Sequence, residues 1–336
     1  MLKRPVMQTL LIGLALTLLL TGCSGGSTAS KELTIYSGRS QEYVETVYER
    51  FQEETGIKLN VRYADSAELA AQLLEEGENS PADLFVSQDA GSLGAVADSG
   101  MLSKLPSDLL SIVPAKFSSS DGLWVGLTGR VRVFAYDPAT TLPLPKSYRD
   151  FTNPVYKGQF GIAPTNGSFQ AFVTALRISI GDDATERWLR GIAANQPKFY
   201  EKNSLIVEAI DTGQIDFGLV NHYYVYEVSE ALGRSIDVKN GFFQDGDLGN
   251  LINVSGAGML NTSKKMDDAI TFLTFLLNES SQSTFVSEIK EYPTRPGIPG
   301  PEGLPKLEEI GAPLVDLNSL KDLKGTQALL IKVGLL

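Results

Sequence analysis

The residue types that build most catalytic and metal sites are nearly missing from this chain. It has one cysteine, Cys23, and one histidine, His222, so a His-rich zinc site, a zinc ribbon or a Cys-His dyad cannot be assembled. No Walker-type glycine-rich loop and no Gly-x-Ser-x-Gly elbow occurs. A lone cysteine allows no internal disulfide, so the fold must rely on its core. The 336 residues are ample for that and suggest two domains.

Basic charge is also scarce, and part of it sits at the N-terminus. Lys3 and Arg4 precede an apolar run over residues 10–20, which ends at Leu20, Thr21, Gly22 and Cys23. The run is too short for a stable bilayer span and has the layout of a secretory signal. Its last four residues resemble the bacterial lipobox, in which cleavage precedes a cysteine that then carries a lipid. Residues 1–22 are therefore expected to be a lipoprotein-type signal peptide. Cys23 is the expected lipidation site, and 23–31 form the lipidated cysteine with a Ser- and Gly-rich tether. Removing Lys3 and Arg4 from the 29 basic residues leaves 27 against 40 acidic ones, a net charge near −13. Nucleic acid and anionic membrane surfaces are poor partners for such a chain. Contact with the membrane is expected through the lipid alone, in the periplasm or on the outer face of the cytoplasmic membrane.

From residue 32 onward, short apolar runs alternate with longer amphipathic ones: strand 33–36, helix 42–54, strand 57–63, helix 67–76, strand 82–86. This order implies right-handed crossovers and a parallel sheet. Ligands of such sheets sit at the carboxyl ends of the strands. The loops Ser37-Gly38-Arg39-Ser40 and Ser87-Gln88-Asp89-Ala90-Gly91 are thus candidate site segments. A second α/β set follows, with strands at 159–163 and 215–220 and helices at 169–180, 184–194, 204–212 and 223–232. The β-rich runs 130–136 and 251–260 suit two crossings between the sets, and two crossings make a hinge with a cleft. Helices are expected at 269–277 and 317–335, joined by an irregular, proline-rich surface connection over 292–305. The expected architecture is an α/β, two-lobed fold resembling periplasmic binding proteins, with hinge strands and an interlobe cleft. Lobe 1 is placed at 32–130 plus 261–305, and lobe 2 at 131–260 plus 306–336, with C-terminal helices able to cross between them.

The most specific local feature is Asn221-His222-Tyr223-Tyr224, which follows a buried strand and opens a helix. Side chains at a helix N-terminus can reach into a cleft, although paired tyrosines alone also suit packing. His222 is expected to make a structural hydrogen bond, since its side chain should diverge from those of the pair.

Taken with Tyr36-Ser37-Gly38-Arg39, Ala82-Asp83-Leu84-Phe85, Ser87-Gln88-Asp89-Ala90-Gly91, Gly129-Arg130-Val131-Arg132-Val133 and Ala163-Pro164-Thr165-Asn166-Gly167-Ser168-Phe169, this segment resembles the ferric-iron-binding proteins of bacterial ABC transporters. The resemblance extends over nearly all of 31–336. It implies a monomeric, non-enzymatic receptor that delivers Fe(III) to a permease with its ATPase. It also implies that Tyr223 and Tyr224 supply phenolate ligands, in keeping with the preference of a small, hard trivalent cation for anionic oxygen. Carbonate or another small oxyanion would complete the shell. Arg39 and Arg130 resemble the family's anion-contacting arginines, whose planar fork suits such an anion. Asn166, Ser168, Asn203 and Asn221 match polar positions around that anion, though each also suits a cap or turn. Arg132, two residues beyond Arg130 on the same strand, is expected to face the other way. Tyr36, Gln88 and Tyr136 are possible additional contacts.

Departures from the family pattern are informative too. Ser40 stands where some members have histidine, Gln88 with Asp89 where others have glutamate, and Phe169 where a subgroup has a third tyrosine. The chain therefore resembles the members that depend most on exogenous anion. Competing readings are a receptor for a polyamine, thiamine or a phosphonate, and an exported hydrolase or structural lipoprotein. The acid pairs Glu53-Glu54 and Glu75-Glu76 lie on amphipathic helices and read as solvated faces.

Overall fold

The computed structural model describes residues 31–336, so the signal, lipobox and tether expectations for residues 1–30 lie outside the described residues. The chain begins with β1 (Glu32–Ser37), α1 (Gln41–Thr55), β2 (Lys58–Tyr63), α2 (Ser66–Glu76), β3 (Leu84–Ser87), α3 (Ala90–Asp98) and the short α4 (Ser107–Leu110). Strands β1 and β2, and β1 and β3, pair in parallel as the βαβ alternation requires. Helix α1 buries Val44, Val47, Tyr48 and Phe51 at helical spacing. Phe51 meets Phe272 and Phe275 edge-on at centroid distances of 4.9 and 5.3 Å.

Strand β4 (Val125–Tyr136) is twelve residues long, and eleven of them are buried. It leads into β5 (Phe160–Ile162), α5 (Gly167–Ile180), α6 (Asp182–Ala194), β6 (Lys198–Phe199), α7 (Asn203–Asp211), β7 (Phe217–Asn221), α8 (Tyr224–Ala231) and β8 (Lys239–Gly241). Then come β9 (Ile252–Met259), α9 (Met266–Leu276), α10 (Glu279–Ile289), β10 (Tyr292–Pro293) and α11 (Leu323–Lys332). Among the described residues the strands form one sheet, ordered β2-β1-β3-β9-β4-β7-β5-β6, with β8 and β10 also paired to β4. The two α/β sets are fused because β4 belongs to both. Its first half pairs with β9 and its second with β7 and β8.

Several segments differ from the sequence expectation, among them helix α10, which was not expected. Strand β9 is hydrogen-bonded between β3 and the first half of β4, so the chain returns to the first lobe at residues 251–252 rather than at 260. Tyr292 and Pro293 are a buried strand against Thr128 and Gly129, not the start of a surface connection. They occupy the edge of β4 that β7 leaves free, an edge position that tolerates proline. Instead of one helix over 317–335, a 3₁₀ turn at Leu317–Ser319 is followed by α11, whose start is capped by Asp322 accepting from the Gly325 N–H. The tail crosses both lobes. Leu320 passes so close to α3 that a side-chain carbon on Gly91 would fall 2.7 Å from its carbonyl oxygen, while Thr326 hydrogen-bonds Thr174 of α5 at 2.7 Å.

Candidate metal and anion site

A cleft of about 500 Å³ opens where the loops after β2, β3, β5 and β7 converge on β4. Its lining includes Gln88 and Asp89 from the first lobe, Arg130 from β4, and Asn166, Ser168, Tyr223 and Tyr224 from the second. Strand β7 is fully buried and delivers Asn221 and His222 to the start of α8. The helix turn then sets the two tyrosine rings side by side, 4.4 Å between centroids and 34° apart in plane. Burial, the facing Tyr223 and Glu227 raise the Tyr224 phenol well above its ordinary range, against a weaker opposite pull from Asn203. Without a cation nearby, that phenol keeps its proton.

His222 holds the pair from behind. Its Nδ1 accepts from the Val131 N–H at 3.2 Å, and Nε2 donates to the Lys290 carbonyl at 2.7 Å. Burial pushes its pKa down to about 4 despite those bonds, so the ring is neutral at pH 7 with one tautomer fixed by its partners. The structural role expected for it is the one observed.

Below the phenols, Asn166 caps α5. Its Oδ1 accepts from the Ser168 N–H at 3.0 Å and from Asn203 Nδ2 at 3.2 Å. Asn203 also donates to Ser168 Oγ at 3.3 Å, while its own Oδ1 is buried without a partner. The positive end of the α5 dipole favours an anion here. Arg130 is 3 % exposed, and its Nε and Nη2 are buried with no hydrogen-bond partner. A guanidinium left in this state is waiting for an acceptor.

The other expected residues are distributed differently. Arg39 does not line the cleft; its Nη1 donates to Glu291 Oε1 at 3.0 Å in a pair whose side chains are each 3 % exposed. Asn221 is buried at the end of β7, opposite Arg132. Tyr36 donates to Glu76 at 2.9 Å and Tyr136 packs on Phe134, both away from the cleft lining. Arg132 requires a correction. Residues two apart on a strand share a face, and its Nη1 reaches Ser168 Oγ at 3.3 Å and its Nη2 the Leu219 carbonyl at 2.8 Å. It lies over the Phe169 and Phe172 rings. Burial lowers its pKa to about 9, with Tyr224 and Tyr223 pulling the other way, and it stays charged at pH 7. Neither Arg132 nor Glu291 was expected at the site. The two-residue period should have flagged the first, whereas the second announces itself only through partners far along the chain.

This fold and cleft define a class: the chain belongs to the bacterial extracellular solute-binding protein family, whose sequence model matches residues 79–316. It is a binding protein, not an enzyme. Among curated relatives, the Fe(3+)-binding periplasmic protein of Serratia marcescens is 31% identical over 327 residues, covering 96% of each chain. The major ferric iron-binding protein of Neisseria meningitidis is 31% identical, covering 95% of this chain and 97% of its own. Among solved structures, iron-bound HitA from Pseudomonas aeruginosa superposes with a TM-score of 0.84 at 33% identity, over 90% of this chain and 99% of that one. The Trichodesmium protein in complex with iron and citrate gives a TM-score of 0.80 at 26% identity, over 91% and 100%. The resemblance to ferric-iron-binding proteins, and the two-lobed fold it implied, hold.

Proposed function

We propose that this protein captures Fe(III) together with a small oxyanion in the interlobe cleft and delivers it to an ABC transporter permease with its ATPase. The observation that carries the reading is the adjacent phenol pair, Tyr223 and Tyr224, in the same cleft as the unpartnered Arg130 guanidinium. Among the described residues no cluster of three His, Cys, Asp or Glu side chains offers a metal site, so phenolate oxygen is the donor chemistry at hand. Two phenolates cancel part of a trivalent charge, and an oxyanion bridging metal, Arg130 and the α5 N-terminus fits the remainder. The relatives named above bind ferric iron, and one structure holds citrate beside it. Carbonate is the small oxyanion proposed for this chain, and the working location is outside the cytoplasmic membrane, tethered through a lipid on Cys23.

The test is a visible spectrum after adding ferric salt and bicarbonate. Tyrosinate-to-iron charge transfer should colour the wild type orange to purple, and Tyr223→Phe and Tyr224→Phe should each weaken and shift the band. A colourless wild type would leave a solute receptor for other cargo, a polyamine, thiamine or a phosphonate among them.

A further inference from the structure

Behind the cleft wall, Glu291 is 2 % exposed and feels the charges of two arginines drawn from distant parts of the chain. Its Oε1 accepts from Arg39 Nη1 at 3.0 Å. Its Oε2 accepts from the Thr128 hydroxyl, which in turn leaves Thr128 Oγ1 to accept from Ser255 at 2.6 Å. Thr128 and Ser255 lie on β4, the strand that runs through both lobes, and on its neighbour β9, and they face each other in register. Lys290, the preceding residue, is pinned by His222 next to the tyrosine pair. The carboxylate is thus fixed at the junction from which Arg130 projects into the cleft.

The charges of this group are unequal in their commitments. Arg39 bonds Glu291 directly. Arg130 feels the same carboxylate at longer range but keeps two nitrogens without partners. Burial by itself would raise the Glu291 pKa, yet Arg39, Arg130 and the Thr128 and Arg39 hydrogen bonds outweigh it and hold the group below the ordinary carboxylate range. The three side chains together carry one net positive charge.

We infer that Glu291 sets the anion affinity of the cleft: by engaging Arg39 and offsetting one of the two guanidinium charges beside it, it leaves Arg130 free to hold a small oxyanion, loosely enough for release. This rests on the metal-and-anion reading above. Glu291 acts through Arg39 and Arg130 and is a positioning residue, touching neither metal nor anion.

The discriminating experiment measures bicarbonate affinity by calorimetry on the full chain, metal-free and again iron-loaded, for the wild type and three variants. Glu291→Gln releases a positive charge and should bind bicarbonate about tenfold more tightly, while Arg39→Gln leaves the carboxylate to engage Arg130 and should bind about tenfold more weakly. Opposite signs are the signature, because mere structural support would weaken binding in both. Removing one partner from a buried pair can cost enough stability to obscure a single variant. The double variant Arg39→Gln/Glu291→Gln leaves Arg130 with the same net charge as in the wild type and should return bicarbonate affinity to within about twofold of it. Loss of affinity in the double variant, or singles that shift in the same direction, overturns the inference. A wild type with no charge-transfer band but with opposite single-variant shifts would overturn the iron reading and keep this one.

Discussion

The wall of the cleft built on α5, α7 and α8 presents phenols and amides, whereas β4 presents a fixed ion with an ion pair behind it. Tyr223, Tyr224, Asn166, Ser168 and Asn203 form the first set, with Arg132 as the ion buried among them. Arg130 on β4 forms the second, backed by the buried Arg39–Glu291 pair, whose carboxylate accepts from the Thr128 hydroxyl of β4. In the proposed function the first wall supplies phenol oxygens to the cation. The second is charged before anything binds, and its like charges are tolerable because a carboxylate offsets one of them. On that proposal, the component that meets the cargo is separate from the component that attracts a counter-ion at all times.

Replacing both Tyr223 and Tyr224 by Phe is the largest perturbation of that contrast. It should abolish the visible band and lower ferric-iron affinity more than about a hundredfold in competition with citrate. A band that survives would place the metal elsewhere. Next in size is the pH dependence of stability on the phenol side. His222 has a folded pKa of about 4 against an ordinary value near 6.5, so the unfolded chain takes up the proton first as pH falls. Stability from this group is complete above about 6.5 and lost progressively down to about 4, roughly 3 kcal/mol in all. Thermal melts across that window should show the decline, and His222→Gln should flatten it. On the ionic side, Arg130→Gln should weaken bicarbonate binding by about 2 kcal/mol, roughly thirtyfold, while the phenol pair can still colour with iron at high bicarbonate. The smallest effect is expected for Asn203→Ala, which removes donors to Asn166 and Ser168 and should cost about 1 kcal/mol, or about 2 °C in melting midpoint.

Much of the first lobe was legible because its strands are short apolar runs set between helices with clear 3.6-residue spacing, as in α1. The tyrosine pair stood out for a related reason: it directly follows an uninterrupted buried strand. Helix α10 was missed. Its sequence is rich in Ser, Gln and Thr and buries only Ser281, Gln282 and Phe285, so no apolar stripe marks it, although Asn278, whose side chain accepts from the Ser281 N–H, is a usable start signal. Merging 317–335 into one helix overlooked the cap at Asp322 and the break before it. Placing Arg132 away from the site inverted the two-residue strand period. Glu291 had no local signal at all. It precedes a Tyr-Pro pair in a proline-rich stretch, and its burial follows from Arg39, 252 positions away.

The passage of β4 through both lobes has a mechanical meaning. Where the chain changes lobes, the Val131 amide is bonded to His222 and the Arg132 amide to the Leu251 carbonyl at 2.9 Å. Any rocking of one lobe on the other must therefore act as torsion along a braced ribbon, not as the swing of a slack joint. Deuterium should enter these two amides among the slowest in the protein, with the cleft filled or empty, and relative rotation of the lobes should be confined to the small angles a twisted strand can absorb.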